Sequence, residues 1–214
     1  MKGLPVKAKG RIWTSEEKMK ARQVSIIDVY RELYRRIVLP EDKQYWTMCG
    51  QCVNGITLDK GCEYDHIVNI EKIVSPENWY GIEINKDIYN LNKKIKEANW
   101  INNDIGVAIS KEKKFNPGII NLDHHTASNN DRIDELTMIM RRCTTEEVMI
   151  VYNTILITRS YKTTVIKIGK EMFNNIAFKN EFIEKGWVLY PKYIPYKSNK
   201  GNTHMVTLIL YKRG

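Results

Sequence analysis

Hydrophobic positions along the chain change period several times, and each change marks an element. Over residues 15–38 apolar side chains recur at helical spacing, with Ile27, Tyr30, Leu33, Tyr34 and Ile37 on one stripe. Thr14 and Glu17 match a capping box and Pro40 closes the segment, which predicts one continuous helix. Lys18 and Arg22 lie one turn apart on another face, as do Arg31 and Arg35. The pattern predicts that one side packs on a body while the basic side faces outward.

Beyond Pro40 strand and helix patterns alternate. Residues 44–49 read as a short strand, followed by a glycine-containing turn over 50–55. A helix is expected over 63–74, a second strand over 79–84 and a helix over 86–98, with Ile88, Leu91, Ile95 and Ala98 on one face. A third strand is placed around 106–109. The apolar run 118–122 is a fourth strand and stops at Asp123-His124-His125. A helix over 131–143 turns Ile133, Leu136 and Met140 inward, and 147–156 is the strongest strand in the chain. A helix over 170–185 ends at Gly186. Residues 187–194 and 205–211 then alternate across the polar loop 198–203, as in an antiparallel hairpin.

Strands separated by helices imply an α/β fold, with a mainly parallel sheet covered on both faces by right-handed crossovers. Ligands of such sheets sit outside the carboxyl ends of the strands, at the point where strand order reverses. The polar turns fall there: Cys49-Gly50-Gln51 after the first strand, Glu83 and Asn85 after the second, Asn103-Asp104 near the third, and Asp123-His124-His125 after the fourth.

Charge adds a partner to this picture. The 214 residues carry 34 Lys and Arg against 25 Asp and Glu, a formal +9. Residues 1–36 hold ten of those cations and four acids, a net +6 in one sixth of the chain. Such a patch attracts polyanions by counterion release, so Lys18, Arg22, Arg31 and Arg35 are candidate nucleic-acid contacts. The division expected is a basic N-terminal arm and helix over 1–39 and an α/β domain over 40–214. With 43% hydrophobic and 28% charged residues a globular core is available. No apolar run reaches the ~20 residues of a membrane helix, and the basic first residues lack the apolar core of a secretory signal. Four cysteines in a chain this long do not make a disulfide scaffold, which places the protein in a reducing cytoplasm.

Several residues admit two readings. Cys49-x2-Cys52-x9-Cys62-x3-His66 could supply three thiolates and an imidazole to zinc, or be buried free thiols beside an ordinary histidine. Asp123, His124 and His125 could serve as general base or metal ligands, with His204 or Asp104 as a distant third ligand, or form a capping loop facing water. Thr158 and Ser160 lack the context of a nucleophile elbow. Trp46, Trp79 and Trp187 lie in or beside strands and read as core.

The order of elements over about residues 43–212 resembles the class I S-adenosylmethionine-dependent methyltransferases, whose Rossmann-like sheet also ends in an antiparallel hairpin. The resemblance implies that Glu83, in Gly81-Ile82-Glu83-Ile84-Asn85, binds the ribose hydroxyls of S-adenosylmethionine. It implies that Cys49, Gly50 and Gln51 form the cofactor turn, that Asp104 and Ile105 lie near the adenine, and that Asp123, His124 and His125 are catalytic. The first turn departs from the family's glycine-rich pattern, and Leu122-Asp123-His124-His125 lacks the proline-proline-aromatic run of amino-group DNA methyltransferases. Two functions are therefore expected: a methyltransferase acting on nucleic acid, or a noncatalytic nucleic-acid or protein-binding module on the same scaffold, in one version stabilised by zinc.

Overall fold

Side chains alternate between two cores along the central strands, and this alternation fixes the architecture of the computed structural model, which describes residues 16–124, 126–197 and 204–213. On β1 (Gln44–Met48) Tyr45 enters one core and Trp46 the other. After the short hairpin β2 (Val53–Asn54) and β3 (Thr57–Leu58) come β4 (Trp79–Ile82), α3 (Lys86–Asn92), β5 (Asn99–Ile101) and α4 (Ile105–Lys111). They are followed by β6 (Pro117–Asp123), α5 (Asn130–Arg142), β7 (Met149–Ile155), α6 (Tyr161–Asn174) and α7 (Ile176–Glu184). The chain closes with β8 (Val188–Leu189), β9 (Ile194–Lys197) and β10 (His204–Tyr211).

Among the described residues the main sheet has eight strands in the order β5-β4-β1-β6-β7-β10-β8, with β9 also paired to β10. The first five run parallel, while β10 is antiparallel to β7, β8 and β9. Ile120, Leu122, Ile150 and Tyr152 pack under α4–α7, whereas Ile119, Met149 and Val151 pack on the opposite face with the N-terminal helical segment. Both faces are covered, as the near-continuous apolar runs of β6 and β7 require. Gly81 on β4 leaves room for Trp100 of the neighbouring strand: a Cβ there would lie 2.3 Å from the indole.

The expected N-terminal helix divides. Its parts are α1 (Glu16–Arg22), a widened π-helical stretch over Gln23–Asp28 that buries Ser25, Ile26 and Ile27, and α2 (Val29–Tyr34), which ends at Arg35 in the left-handed region. The proposed cap Thr14 lies outside the described residues. A second π-helical stretch, Asp65–Ile70, stands where a helix over 63–74 was expected.

Two other expectations are corrected. Residues 106–109 belong to helix α4 and not to a strand; the Asp104 carboxylate caps it by accepting from the N–H groups of Gly106 and Val107, and the third strand is β5. The helix expected from residue 170 begins at Tyr161, capped by Ser160, and breaks at Asn175, whose side chain caps α7. No helix of the described residues is long and apolar enough to cross a membrane.

Candidate active site

The strand order reverses at β1, which lies between β4 and β6, and a cavity of about 320 Å³ opens at their carboxyl ends. Its walls come from the turn after β1 (Cys49, Gly50, Gln51), from Glu83 after β4, from Asp104 and Ile105 after β5, and from Asp123 at the end of β6. Met48, Ile82, Ile84, Ile88 and Ile105 supply an apolar side. Four strand-end turns dispersed over 75 positions of sequence are thus brought to one place, as the parallel topology demands.

The turn after β1 is anchored from α3. Asn92, fully buried, accepts from the Cys52 N–H at 2.8 Å and donates to the Gly50 carbonyl at 2.9 Å. The amide fixes the backbone of a segment that holds a single glycine. Within the turn the Cys49 and Cys52 sulfurs are 3.0 Å apart, and burial pushes the Cys52 thiol well above its usual range. All four cysteines are free and buried. Among the described residues no group of three or more His, Cys, Asp and Glu side chains is arranged to hold a metal ion, so Cys49, Cys52, Cys62 and His66 do not assemble into the zinc set considered above.

Glu83 is half-buried, and one of its oxygens accepts from the Asn85 N–H at 2.7 Å. Burial raises its pKa, only partly offset by the backbone donors of Asn85 and Ile84. Asn85 in turn caps α3 by accepting from the N–H groups of Asp87 and Ile88. The Asp104 carboxylate is engaged in capping α4, which sets Ile105 against the cavity.

The N-terminal helix meets this site with its cations inward. Lys18 is buried, and its ammonium lies 3.1 Å from the Asp123 carboxylate. The Tyr196 hydroxyl reaches the other Asp123 oxygen at 3.4 Å. Arg22 donates to the Gly61 carbonyl at 3.2 Å and approaches Glu63 at 4.0 Å. Burial opposes the charge of Arg22, but Glu63 and Asp123 outweigh it and its pKa is raised. Glu63 is itself a buried hub: one oxygen accepts from the Tyr45 and Thr47 hydroxyls and from the Asn121 amide, each at 2.8 Å.

The other expected residues separate from the cavity. His124 is buried beside Tyr152, with Nε2 3.7 Å from Glu135, and does not line the cavity. His125 lies outside the described residues. Arg31 pairs with Glu71 at 3.1 Å, and Arg35 is exposed at the end of α2. That end of α2 is at the amino edge of the sheet, where Arg36 pairs with Glu147 just before β7 and the Tyr34 hydroxyl donates to the Lys212 carbonyl. The basic face expected to be continuous is therefore split, with Lys18 and Arg22 at the cavity and Arg31 and Arg35 at the opposite edge. Glu63, Asn92, Arg132 and Tyr196 are members of the site or its support that the sequence reading passed over. Only Asn92 carried a local signal, as a polar residue on the apolar face of its helix, four positions after Ile88 and three before Ile95.

No family model matches the chain, and no curated protein matches it. Solved structures do. A candidate methyltransferase from Thermobifida fusca superposes with a TM-score of 0.57 at 10% identity, over 93% of this chain and 82% of that one. A chain of a fibrillarin–Nop5p complex gives 0.55 at 12% identity, over 92% and 81%. A candidate rRNA methylase from Clostridium thermocellum gives 0.52 at 12% identity, over 89% and 96%. Together with the strand order and the antiparallel β10, these likenesses show that the chain has the Rossmann-like fold of the class I S-adenosylmethionine-dependent methyltransferases.

Proposed function

We propose that the protein is an S-adenosylmethionine-dependent methyltransferase acting on nucleic acid. The observation that carries this reading is the convergence of Gly50, Glu83, Ile105 and Asp123 on one cavity at the strand-order reversal. The donor set fits the cofactor. Glu83 offers carboxylate oxygens to vicinal hydroxyls, Ile84 and Ile105 give an apolar wall to a flat base, and the Cys49–Gln51 turn presents backbone held by Asn92. Arg22, half-buried at the cavity and held charged by Glu63 and Asp123, suits the carboxylate of the methionine portion. The cavity volume lies at the lower end of the range for small-molecule sites, about 300–1,000 Å³.

When bound, the cofactor supplies an electrophilic methyl group. The chain's own residues do the rest. Asp123 lines the same cavity and would accept a hydrogen bond, or a proton, from an incoming acceptor. Lys18 and Tyr196 hold its two oxygens, so its direction is fixed before an acceptor arrives. Lys18 and Arg22 of α1 line one side of the cavity. Most of the rate gain from such a site comes from alignment of acceptor and methyl group. His124, buried beside Tyr152 and outside the cavity, takes no part in this scheme.

Support for a nucleic-acid acceptor comes from charge at the same edge. Lys86 after β4, Arg132 at the start of α5, and Arg159 and Lys162 after β7 all follow carboxyl ends of strands. Together with the overall +9 they favour a polyanion. Titration calorimetry with S-adenosylmethionine tests the reading: saturable binding is expected, with at least about a tenfold loss in Glu83→Ala. Absence of heat with folded protein that still binds oligonucleotides assigns the noncatalytic binding module instead.

A further inference from the structure

A second concavity lies on the same edge of the sheet, beyond β7 and β10. It is an open cleft of about 690 Å³ lined by the apolar Leu156 and Ile157 together with Arg159, Tyr161 and His204. None of these residues belongs to the cofactor cavity. The Tyr161 hydroxyl is hydrogen-bonded to His204 Nδ1 at 2.9 Å, with the rings 6.1 Å apart and steeply inclined. The phenol is thereby held in one orientation, half-buried and with ring surface left to the cleft. Arg159 is exposed at the rim, and exposed Lys162 follows one position after Tyr161.

The position relative to Asp123 follows from the register. Asp123 on β6 pairs with Asn153 on β7, and Ile155 two residues further on pairs with Met205 of β10. The cleft is therefore two strand spacings to the side, about 10 Å, and roughly two residues beyond along the strands, about 7 Å. Combined, these offsets separate the two sites by about 12 Å, so a ligand spanning both must extend past the reacting group by one to two building units and carry negative charge. A flat face with a hydrogen-bonded edge next to a cation suits a nucleobase and its phosphate. An acidic peptide would satisfy Arg159 but would leave the oriented ring and the apolar Leu156 and Ile157 without a matching surface.

We propose that this cleft is a subsite for one unpaired nucleotide of a single-stranded nucleic acid, with the base against Tyr161 and a phosphate at Arg159. The proposal rests on the methyltransferase reading for its purpose, since it places the nucleotide within two positions of the one that would enter the cofactor cavity. It requires that the acceptor strand be unpaired there, because a duplex keeps its base faces stacked.

Fluorescence anisotropy with a labelled 12-nucleotide single strand of mixed sequence, as RNA and as DNA, tests it against a duplex of the same sequence. Tyr161→Ala is expected to weaken single-strand binding about tenfold, as loss of one stacked base does, without changing the slope against salt. Tyr161→Phe, which keeps the ring and loses only the bond to His204, should stay within about threefold of wild type. Arg159→Glu should weaken every strand and flatten the salt dependence. Duplex affinity should respond to Arg159→Glu and not to Tyr161→Ala. Affinity for both RNA and DNA supports stacking and phosphate contact alone; affinity for RNA only adds recognition of the 2′-hydroxyl to the same subsite. The proposal is overturned if wild type does not bind single strands, if Tyr161→Ala leaves single-strand affinity unchanged while remaining folded by circular dichroism, or if Tyr161→Phe loses as much as Tyr161→Ala. An unchanged affinity in Arg159→Glu, which alters an exposed side chain, removes the phosphate contact independently of any folding effect. Calorimetry with S-adenosylmethionine separates the two readings: cofactor binding without Tyr161-dependent strand binding sinks the subsite alone, and the converse sinks the methyltransferase assignment alone.

Discussion

Replacing Asn92 should loosen the turn after β1 more than any other single change outside the cavity wall. Its amide makes two bonds to backbone groups of that turn, at 2.8 Å and 2.9 Å, and is fully buried. Asn92→Ala removes both bonds and leaves the Cys52 N–H and the Gly50 carbonyl without them. A net hydrogen bond is worth roughly 0.5–1.5 kcal/mol, and a buried group left unpaired costs about 1–3 kcal/mol. Other contacts still restrain the turn, since the Cys49 N–H donates to Ile82, the Asp59 N–H to Cys52 and the Gln51 side chain to Val53. A loss of about 2–4 kcal/mol results, which for a domain of this size lowers the melting temperature by roughly 4–16 °C. Asn92→Asp keeps the acceptor for Cys52 but turns a carboxylate oxygen toward the Gly50 carbonyl, so it should be no better than Asn92→Ala despite its shape. Calorimetric melting of the three proteins, followed by titration with S-adenosylmethionine, reads both effects. If Asn92→Ala melts within about 1 °C of wild type, the turn is held by its other bonds and the role given to this amide is wrong.

Three further outcomes follow from the same geometry. Burial raises the pKa of Glu83, so the ligand-free fold favours its protonated form; that contribution is complete below the ordinary carboxylate range and is lost as pH rises through the raised value. Glu83→Gln should therefore melt at or above wild type at neutral pH, converge with it near pH 4, and still lose cofactor affinity in calorimetry; a lower melting point at neutral pH would reverse the assigned sign. Gly81→Ala would place a methyl 2.3 Å from the Trp100 ring, and overpacking of this kind costs about 1–3 kcal/mol, readable by urea titration; an unchanged midpoint would show that Trp100 yields freely. Charge reversal at both Arg31 and Arg35 should leave single-strand affinity at low salt within about threefold of wild type, because both lie at the amino edge of the sheet. A loss as large as that of Arg159→Glu would move the nucleic-acid path to the opposite end of the molecule.

How far the sequence shows all this depends on whether the deciding contact is local. Four of the five parallel strands, β1, β4, β6 and β7, were legible because each is a short apolar run bounded by turn residues, whereas β5, only three residues long, was placed too far along the chain. The strand-end turns follow directly from strand order. Helix α4 was mistaken for a strand because Ile105, Ala108 and Ile109 make a window too short to separate the two periods, although Asp104 was already a visible cap. The first turns of α6 were missed for a similar reason: Thr163, Thr164, Val165 and Ile166 are β-branched and weak helix formers, and the segment is stabilised by the Ser160 cap and by burial of Thr164 and Ile168. At the site, the spacing of Lys18 and Arg22 correctly put them on one helix face, and Ala21 and Ser25 on the same side were a hint that this face is covered. Which way that face points was beyond local reading. Charges on a helix favour solvent unless carboxylates meet them inside, and the partner of Lys18 is Asp123, 105 positions away. The parallel sheet delivers Asp123 to the cavity, and the buried Tyr45, Thr47 and Asn121 hold Glu63 beside Arg22. Once those carboxylates are fixed, an outward Lys18 would leave Asp123 facing the cavity without its ammonium. The inward basic face is thus a consequence of the sheet and not of the helix that carries it.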